Sequence, residues 1–294
     1  HLQACAAVGQ TQLMRVFEAA LKPRGCHTAQ MLLTRGDFED RTRYLNTRNC
    51  IHALFDYGAI PIINENDTVS VEEIRLGDND ILAAMVTNML RADVLVLLTV
   101  VDGLYRDGGR KDIVDVVTDG GQGLGDFVDS SRSALGVGGM ATKLEAIRSV
   151  NAAGEAAVIA NGRRPNVLTD IMAGKKVGSL FVPMKGKMAS KKRWIGLTTR
   201  PRGKIVIDAG ATKAVLARNS LLASGITRVE GKFARGDVVA VVGAAGREIA
   251  RGLANYSADE VGRVKGLKTS QFEKVLGEKP YDEIIHVDNM AILD

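Results

Sequence analysis

Cysteine is scarce in this 294-residue chain: there are three, Cys5, Cys26 and Cys50, without the paired spacing of a metal site. So odd and sparse a set argues against a disulfide framework and fits a reducing, cytoplasmic compartment. Histidine is nearly as rare. His1, His27, His52 and His286 form no ligand pair, so no zinc site or other protein-held metal is expected. No apolar run approaches the roughly 20 residues of a membrane-spanning helix, and the longest, residues 94–101, has the length of a strand. The N-terminus shows neither an initiator Met nor a signal-like pattern. Because the chain opens at His1 inside what reads as a helix, residues upstream of it are expected. No repeat of solenoid period is present.

What is present is an ordinary globular composition, 46% hydrophobic and 25% charged, on a chain long enough for two domains and a sizeable core. The net charge of +5 is unevenly spread: residues 175–204 hold ten Lys or Arg and no Asp or Glu. Such a run is either a phosphate- or nucleic-acid-facing patch or a solvated connector between domains. Before it, helical and strand-like segments alternate. Helical spacing covers residues 2–21, 40–57, 80–90 and 143–153; short apolar strands are expected at 29–34, 60–63, 94–101 and 157–160. Alternation of this kind predicts an α/β layered domain with a mostly parallel sheet. After the run, short strands at 204–208, 228–231 and 238–242 lie between Gly-rich turns, the texture of a small β-rich barrel. Pro201 and Gly203 mark the boundary, giving domains at 1–198 and 202–294.

Three stretches at strand ends carry the chemistry. Residues 61–85, PIINENDTVSVEEIRLGDNDILAAM, hold two acid–amide clusters, Asn64-Glu65-Asn66-Asp67 and Asp78-Asn79-Asp80. In open α/β sheets, ligands bind beyond the carboxyl ends of strands. Helix capping or an Asx turn accounts for one such residue but not for two clusters. Carboxamides donate to a carboxylate and an aspartate accepts from an ammonium, so a zwitterionic amino acid would use both. The second stretch is Gly136-Val137-Gly138-Gly139-Met140-Ala141-Thr142-Lys143, which precedes a helix. A glycine-rich turn at a helix N-terminus admits phosphate to backbone N–H groups, with Lys143 as a point charge, although a flexible loop would look the same. The spacing is not that of a P-loop. The third is LLTVVDGLY at 97–105, where an apolar strand ends at Thr99 and turns at Asp102-Gly103.

Taken in order, NENDTV, GDND, LLT…DGLY and GVGGMATK resemble the amino-acid kinase family, and within it the glutamate 5-kinases. AAVGQ at 6–10, QMLLT at 30–34 and YLNTR at 44–48 add to the likeness. The C-terminal stretches GKIVIDAGA, SLLASGI and GKFARGD resemble a PUA domain. The resemblance covers nearly the whole chain. It implies an amino-acid-kinase-like αβα sandwich with a mostly parallel central sheet, followed by a small PUA barrel. It implies phosphoryl transfer from ATP, with Mg²⁺ on its phosphates, to the γ-carboxylate of L-glutamate, the first step of proline synthesis. By resemblance, Asp67 and Asn79 bind glutamate with Asn64 in support, Lys143 stabilises the transferring phosphoryl group, and Asp80 orients the lysine. Thr99, Val100, Val137, Gly138, Gly139, Met140, Ala141, Thr142 and Lys143 would line the ATP site. Proline as a feedback inhibitor and a homo-oligomeric state are further implications.

The sequence departs from the family at several points. The family's phosphate-contacting lysine on the first strand and a Ser-Gly turn that contacts glutamate would both lie upstream of His1. Val100 stands where Asp is common and Val137 where Thr is usual, both on the nucleotide side. Three alternatives stay open, one of them a catalytically dead remnant of the family. The others are another phosphotransferase of the fold and an RNA-binding protein that works through the PUA domain, with an inactive kinase domain. Residues 202–294 hold 14 basic and 12 acidic side chains, only two positive charges in excess, which is not the basic face that phosphate contacts require.

Overall fold

Helix α1 (Leu2–Leu21) ends at Pro23 and Gly25; Gly25, at φ 72, turns the chain into strand β1 (His27–Leu33). The computed structural model describes residues 2–69, 79–106, 112–118, 139–183 and 186–293. Asp40 caps the next helix, α2 (Arg41–Asp56), its carboxylate accepting from the Arg43 N–H at 2.8 Å. With Tyr44 and Ile51 buried, α2 carries the chain back so that β2 (Ala59–Glu65) pairs in parallel with β1. Helix α3 (Asn79–Leu90), strand β3 (Val94–Thr99), the short strand β4 (Val116–Val117), helix α4 (Met140–Ala152), strand β5 (Ala156–Asn161) and strand β6 (Ser179–Phe181) follow. They form a second sheet in the order β3-β5-β6-β4, in which β3 and β5 are parallel and register Thr99 against Asn161.

The near-continuous apolar composition of β3 and β5 reflects burial of both sheet faces. Leu95, Leu97, Ala157 and Ile159 pack against Leu144, Ala146, Ile147 and Val150 of α4. The intervening residues Val94, Val96, Val158 and Ala160 pack on the opposite face against Val167 and Ile171. Alternate side chains thus feed two helical layers, as the α/β expectation required. Helices α3 and α4 lie side by side in the same direction. Asp80 meets Lys143 at their starts, and two turns later Asn88 donates to the Ser149 hydroxyl at 3.0 Å.

The chain divides into two compact units, His1–Lys187 and Met188–Asp294. The second unit is a five-stranded sheet in the order β11-β10-β9-β7-β8, from β7 (Gly203–Ile207), β8 (Ile226–Gly231), β9 (Val238–Val242), β10 (Glu248–Leu253) and β11 (Met290–Ile292). Only β7 and β9 run parallel; the other pairs are antiparallel. Its core gathers Ile205, Ile207, Val239, Val241, Tyr256 and Phe272, among others. Trp194 and Ile195 are buried, and Arg251 donates to the carbonyls of Gly196 and Thr199 at 3.1 and 3.2 Å.

Three lysines of the basic run are tied to carboxylates. Lys175 pairs with Asp170 at 2.7 Å and Lys176 with Asp115 at 3.2 Å. Lys187 bridges Asp93 at 2.8 Å and the fully buried Glu155 at 3.3 Å, while Arg193 is buried and donates to the Met188 carbonyl at 3.1 Å. These contacts favour the connector over the phosphate-facing patch.

Two predictions concern stability. Gly178 has φ 74, and a Cβ there would lie 2.0 Å from the Ile159 carbonyl oxygen. Gly178→Ala is expected to destabilise the first unit by about 2 kcal/mol or more, read from the midpoint of urea unfolding. In the second unit, Glu260 hydrogen-bonds Arg235 and, through the capping box of the helix Ala258–Val264, Ser257; Arg235 above all holds its carboxyl down at about 2. A depressed carboxylate stabilises the fold above its unfolded pKa, ordinarily about 4.3, and that contribution disappears as pH falls towards 2. Glu260→Gln should therefore flatten the acid side of the second unit's stability curve, measured by thermal melts between pH 6 and pH 2.

Candidate active site

The acid–amide cluster after β2 closes one side of a cavity of about 410 Å³ whose lining includes Gln10 and Leu13 of α1, Gln30 of β1, Asn64 and Asp67. The Asn66 N–H donates to the Leu33 carbonyl at 2.8 Å, which anchors the turn to the end of β1. The orientation of Asn64 follows from its own backbone: Oδ1 accepts from the Glu65 N–H at 2.9 Å, so Nδ2 must face away from that N–H. It donates to Gln10 Oε1 at 3.2 Å. Gln10 Nε2 is then left sealed from solvent with no acceptor. A buried donor in that state costs roughly 1–3 kcal/mol unless a ligand or water satisfies it.

A second group forms where α3 and α4 begin. Lys143 Nζ lies 2.6 Å from Asp80 Oδ2, with both side chains only 14% exposed. Lys143 sits in the first turn of α4, where the helix dipole opposes a cation, and Asp80 offsets that field. Gly139 is the N-cap in extended conformation and supplies no side chain to the first-turn N–H groups. The Thr142 hydroxyl donates back to the Gly139 carbonyl at 2.8 Å. With two helix starts at one place, N–H dipoles and an ammonium converge, an arrangement that attracts polyanions. Asn79, the first residue of α3, is exposed beside Asp80.

The third group is at the carboxyl ends of β3 and β5. The Thr99 carbonyl accepts from the Gly162 N–H at 2.8 Å, and Asn161 Nδ2 donates to Asp102 Oδ1 at 2.8 Å. Val100 is 66% exposed at this end, an open apolar surface beside polar loops.

The sequence profile of the amino acid kinase family matches residues 1–161, and that of the PUA domain matches residues 203–276. The chain is 47% identical to the glutamate 5-kinase of Caldanaerobacter subterraneus subsp. tengcongensis over 99% of its own length and 80% of that protein's. It is 46% identical to the glutamate 5-kinase of Geobacter sulfurreducens over 99% of its length and 79% of that protein's. The chain belongs to the glutamate 5-kinase branch of the amino acid kinase family.

Against that family, the sequence-predicted residues fall into the groups above. Asn64 and Asp67 share the amide-lined cavity; Asp80 and Lys143 are ion-paired, with Gly139, Met140, Ala141 and Thr142 leading into the lysine; Thr99 and Val100 stand at the end of β3. Asp78, Val137 and Gly138 lie outside the described residues. Sequence reasoning assigned no role to Gln10, Asn161 or Asp102. Gln10 reads as one polar position on an amphipathic helix, and only its approach to Asn64, 54 residues away, sets it apart. Among the described residues, no three carboxylates, imidazoles or thiols gather to hold a metal, and no helix is long and apolar enough to cross a membrane.

A double-mutant cycle tests the ion pair. Asp80→Asn, Lys143→Met and the double variant should show a coupling of about 1–2 kcal/mol in urea unfolding, at or above the upper end found for exposed surface pairs.

Proposed function

We propose that this chain transfers the γ-phosphoryl group of ATP to the γ-carboxylate of L-glutamate, giving L-glutamyl 5-phosphate and ADP. The observation that carries this reading is the Asp80–Lys143 pair at the common start of two parallel helices. It supports a role for Lys143 at a phosphoryl group bearing several negative charges. A carboxylate oxygen attacks the γ-phosphorus, the bond to the bridging oxygen breaks, and ADP departs with that electron pair. The attacking carboxylate is already ionised at neutral pH, so no general base is required. What remains for the protein is alignment and charge stabilisation.

In this reading Asp67 accepts from the α-ammonium of glutamate, and Asn79 donates to a carboxylate with Asn64 in support. Lys143 meets the transferring oxygens, and Asp80 holds its ammonium in place. The strand end at Thr99 and Val100 and residues 137–142 receive the nucleotide. Mg²⁺ would arrive on the ATP phosphates and supply charge neutralisation there. The reaction is the first step of proline biosynthesis in the cytoplasm, with proline as feedback inhibitor and a homo-oligomer as the working form.

Hydroxylamine trapping tests the reaction. With ATP, Mg²⁺ and glutamate, the protein should yield a γ-glutamyl hydroxamate, and aspartate in place of glutamate should give little. Lys143→Met should lower kcat about 10²–10³-fold, as expected for loss of a positioned charge at the transition state, while the KM for glutamate moves far less. An unchanged kcat in Lys143→Met would remove Lys143 from the chemistry.

A further inference from the structure

We infer that Asp102 is a nucleotide-specificity residue beyond the carboxyl end of β3: held by Asn161, its carboxylate accepts from the ribose hydroxyls of ATP. The inference rests on the reading of this strand end as the nucleotide site. Three observations lead to it. The Arg163 N–H donates to Asn161 Oδ1 at 2.9 Å, which leaves Asn161 Nδ2 as the outward donor. That donor meets Asp102 Oδ1 at 2.8 Å, and the Asp102 carboxylate makes no other hydrogen bond or ion pair among the described residues. Asp102 and its contact with Asn161 are exposed, so a molecule arriving from solvent can reach the carboxylate.

The surroundings select the group that this carboxylate meets. Strands β3 and β5 are parallel with Thr99 opposite Asn161, and the Gly162 N–H closes on the Thr99 carbonyl at 2.8 Å, so the loop that carries Asp102 leaves a fixed strand end. Leu98 and Val100, close by in the chain, are 46% and 66% exposed and offer an apolar surface for a base. A nucleoside triphosphate brings a flat base, a sugar with two adjacent hydroxyls and a polyanion. A carboxylate repels the polyanion, which in the proposed reading goes to Lys143. The two hydroxyls are donors, and an ionised aspartate only accepts. An acidic side chain beyond a strand end is also the partner of ribose in dinucleotide-binding α/β sheets. Asp102 acts on binding in the ground state and the transition state alike, because the ribose does not change during transfer.

The test follows hydroxamate formation by the whole protein with two nucleotides: ATP, and 2′,3′-dideoxyATP, which keeps the base and the phosphates but lacks both hydroxyls. The wild type should show a KM about tenfold lower for ATP, equivalent to about 1.4 kcal/mol. Asp102→Ala should raise the KM for ATP about tenfold and leave that for 2′,3′-dideoxyATP nearly unchanged, with kcat and the KM for glutamate also nearly unchanged. An Asp102 that served Mg²⁺, the base or only the fold of its loop would raise both nucleotide KM values by the same factor. Equal factors overturn the inference, and so does a wild type that does not distinguish the two nucleotides. If Asp102→Ala does not fold, judged by its circular dichroism melt, Asp102→Asn gives the same contrast. Its carboxamide keeps an oxygen for Asn161 but replaces charge-assisted bonds to the hydroxyls by weaker neutral ones, so the KM for ATP should rise more. Equal rises again overturn the inference. A wild-type protein that forms no hydroxamate with either nucleotide overturns the kinase reading itself, and this inference with it, a result distinct from equal factors in an active enzyme.

Discussion

Helices α3 and α4 start at the same place and run in the same direction, and the ion pair between Asp80 and Lys143 ties those starts together. Two aligned helices bring their positive ends close, and a lysine in the first turn adds to that field. Local electrostatics therefore opposes this arrangement. It persists because Asp80 neutralises the ammonium at 2.6 Å, and because Leu144, Ala146, Ile147 and Val150 fix α4 against β3 and β5. In the proposed reading the unfavourable part has a use: helix N-termini beside a held lysine suit a triphosphate and a transferring phosphoryl group. On that reading, affinity for anions would come from the packing of two helices.

Parallel strand order determines where the remaining groups appear. In β1 and β2, as in β3 and β5, paired strands end together, with Leu33 opposite Glu65 and Thr99 opposite Asn161. Each crossover returns the chain to the start of the next strand, so connections that leave the carboxyl ends are free to carry polar chemistry. The acid–amide turn after β2 and the Asn161–Asp102 contact are both at such ends. The opposite ends carry structural contacts instead. Lys187 there bridges Asp93 and the buried Glu155, just before β3 and β5 begin, and removes two carboxylates from competition for cations.

Legibility in the sequence tracked the strength of each local signal. The apolar runs of β3 and β5, the helical face of α1 and the Asp40 cap are encoded within a few residues, and their elements were expected within a few positions of their observed bounds. Strands β10 and β11 were not anticipated. EIARGL mixes charge into the strand, with Arg251 used to reach Gly196 and Thr199, and β11 is three residues long. Tertiary pairing defines such strands more than propensity does. The candidate site divides in the same way. Clustered amides and acids, or glycines before a lysine, are visible in one dimension, and Asp67, Asn79 and Lys143 were selected on them. Gln10 was not, because a single glutamine on a helix acquires meaning only when folding sets it beside Asn64.

Amides suit the cavity for a reason of charge. Glutamate at neutral pH carries two carboxylates and one ammonium, and one of those carboxylates must remain a nucleophile. A cation placed on every carboxylate would bind tightly but would also withdraw charge from the attacking oxygen. Carboxamides orient a carboxylate through directed N–H groups without adding formal charge, and their polarity can be set from the backbone, as Glu65 N–H sets Asn64 and Asn64 sets Gln10. In the proposed reading Lys143 is thereby reserved for the group that gains most from it, the phosphoryl oxygens. If the cavity takes the acceptor and Lys143 the donor, as proposed, their separation would let the protein bind an anionic acceptor without blunting its nucleophilicity, while still neutralising the anionic donor.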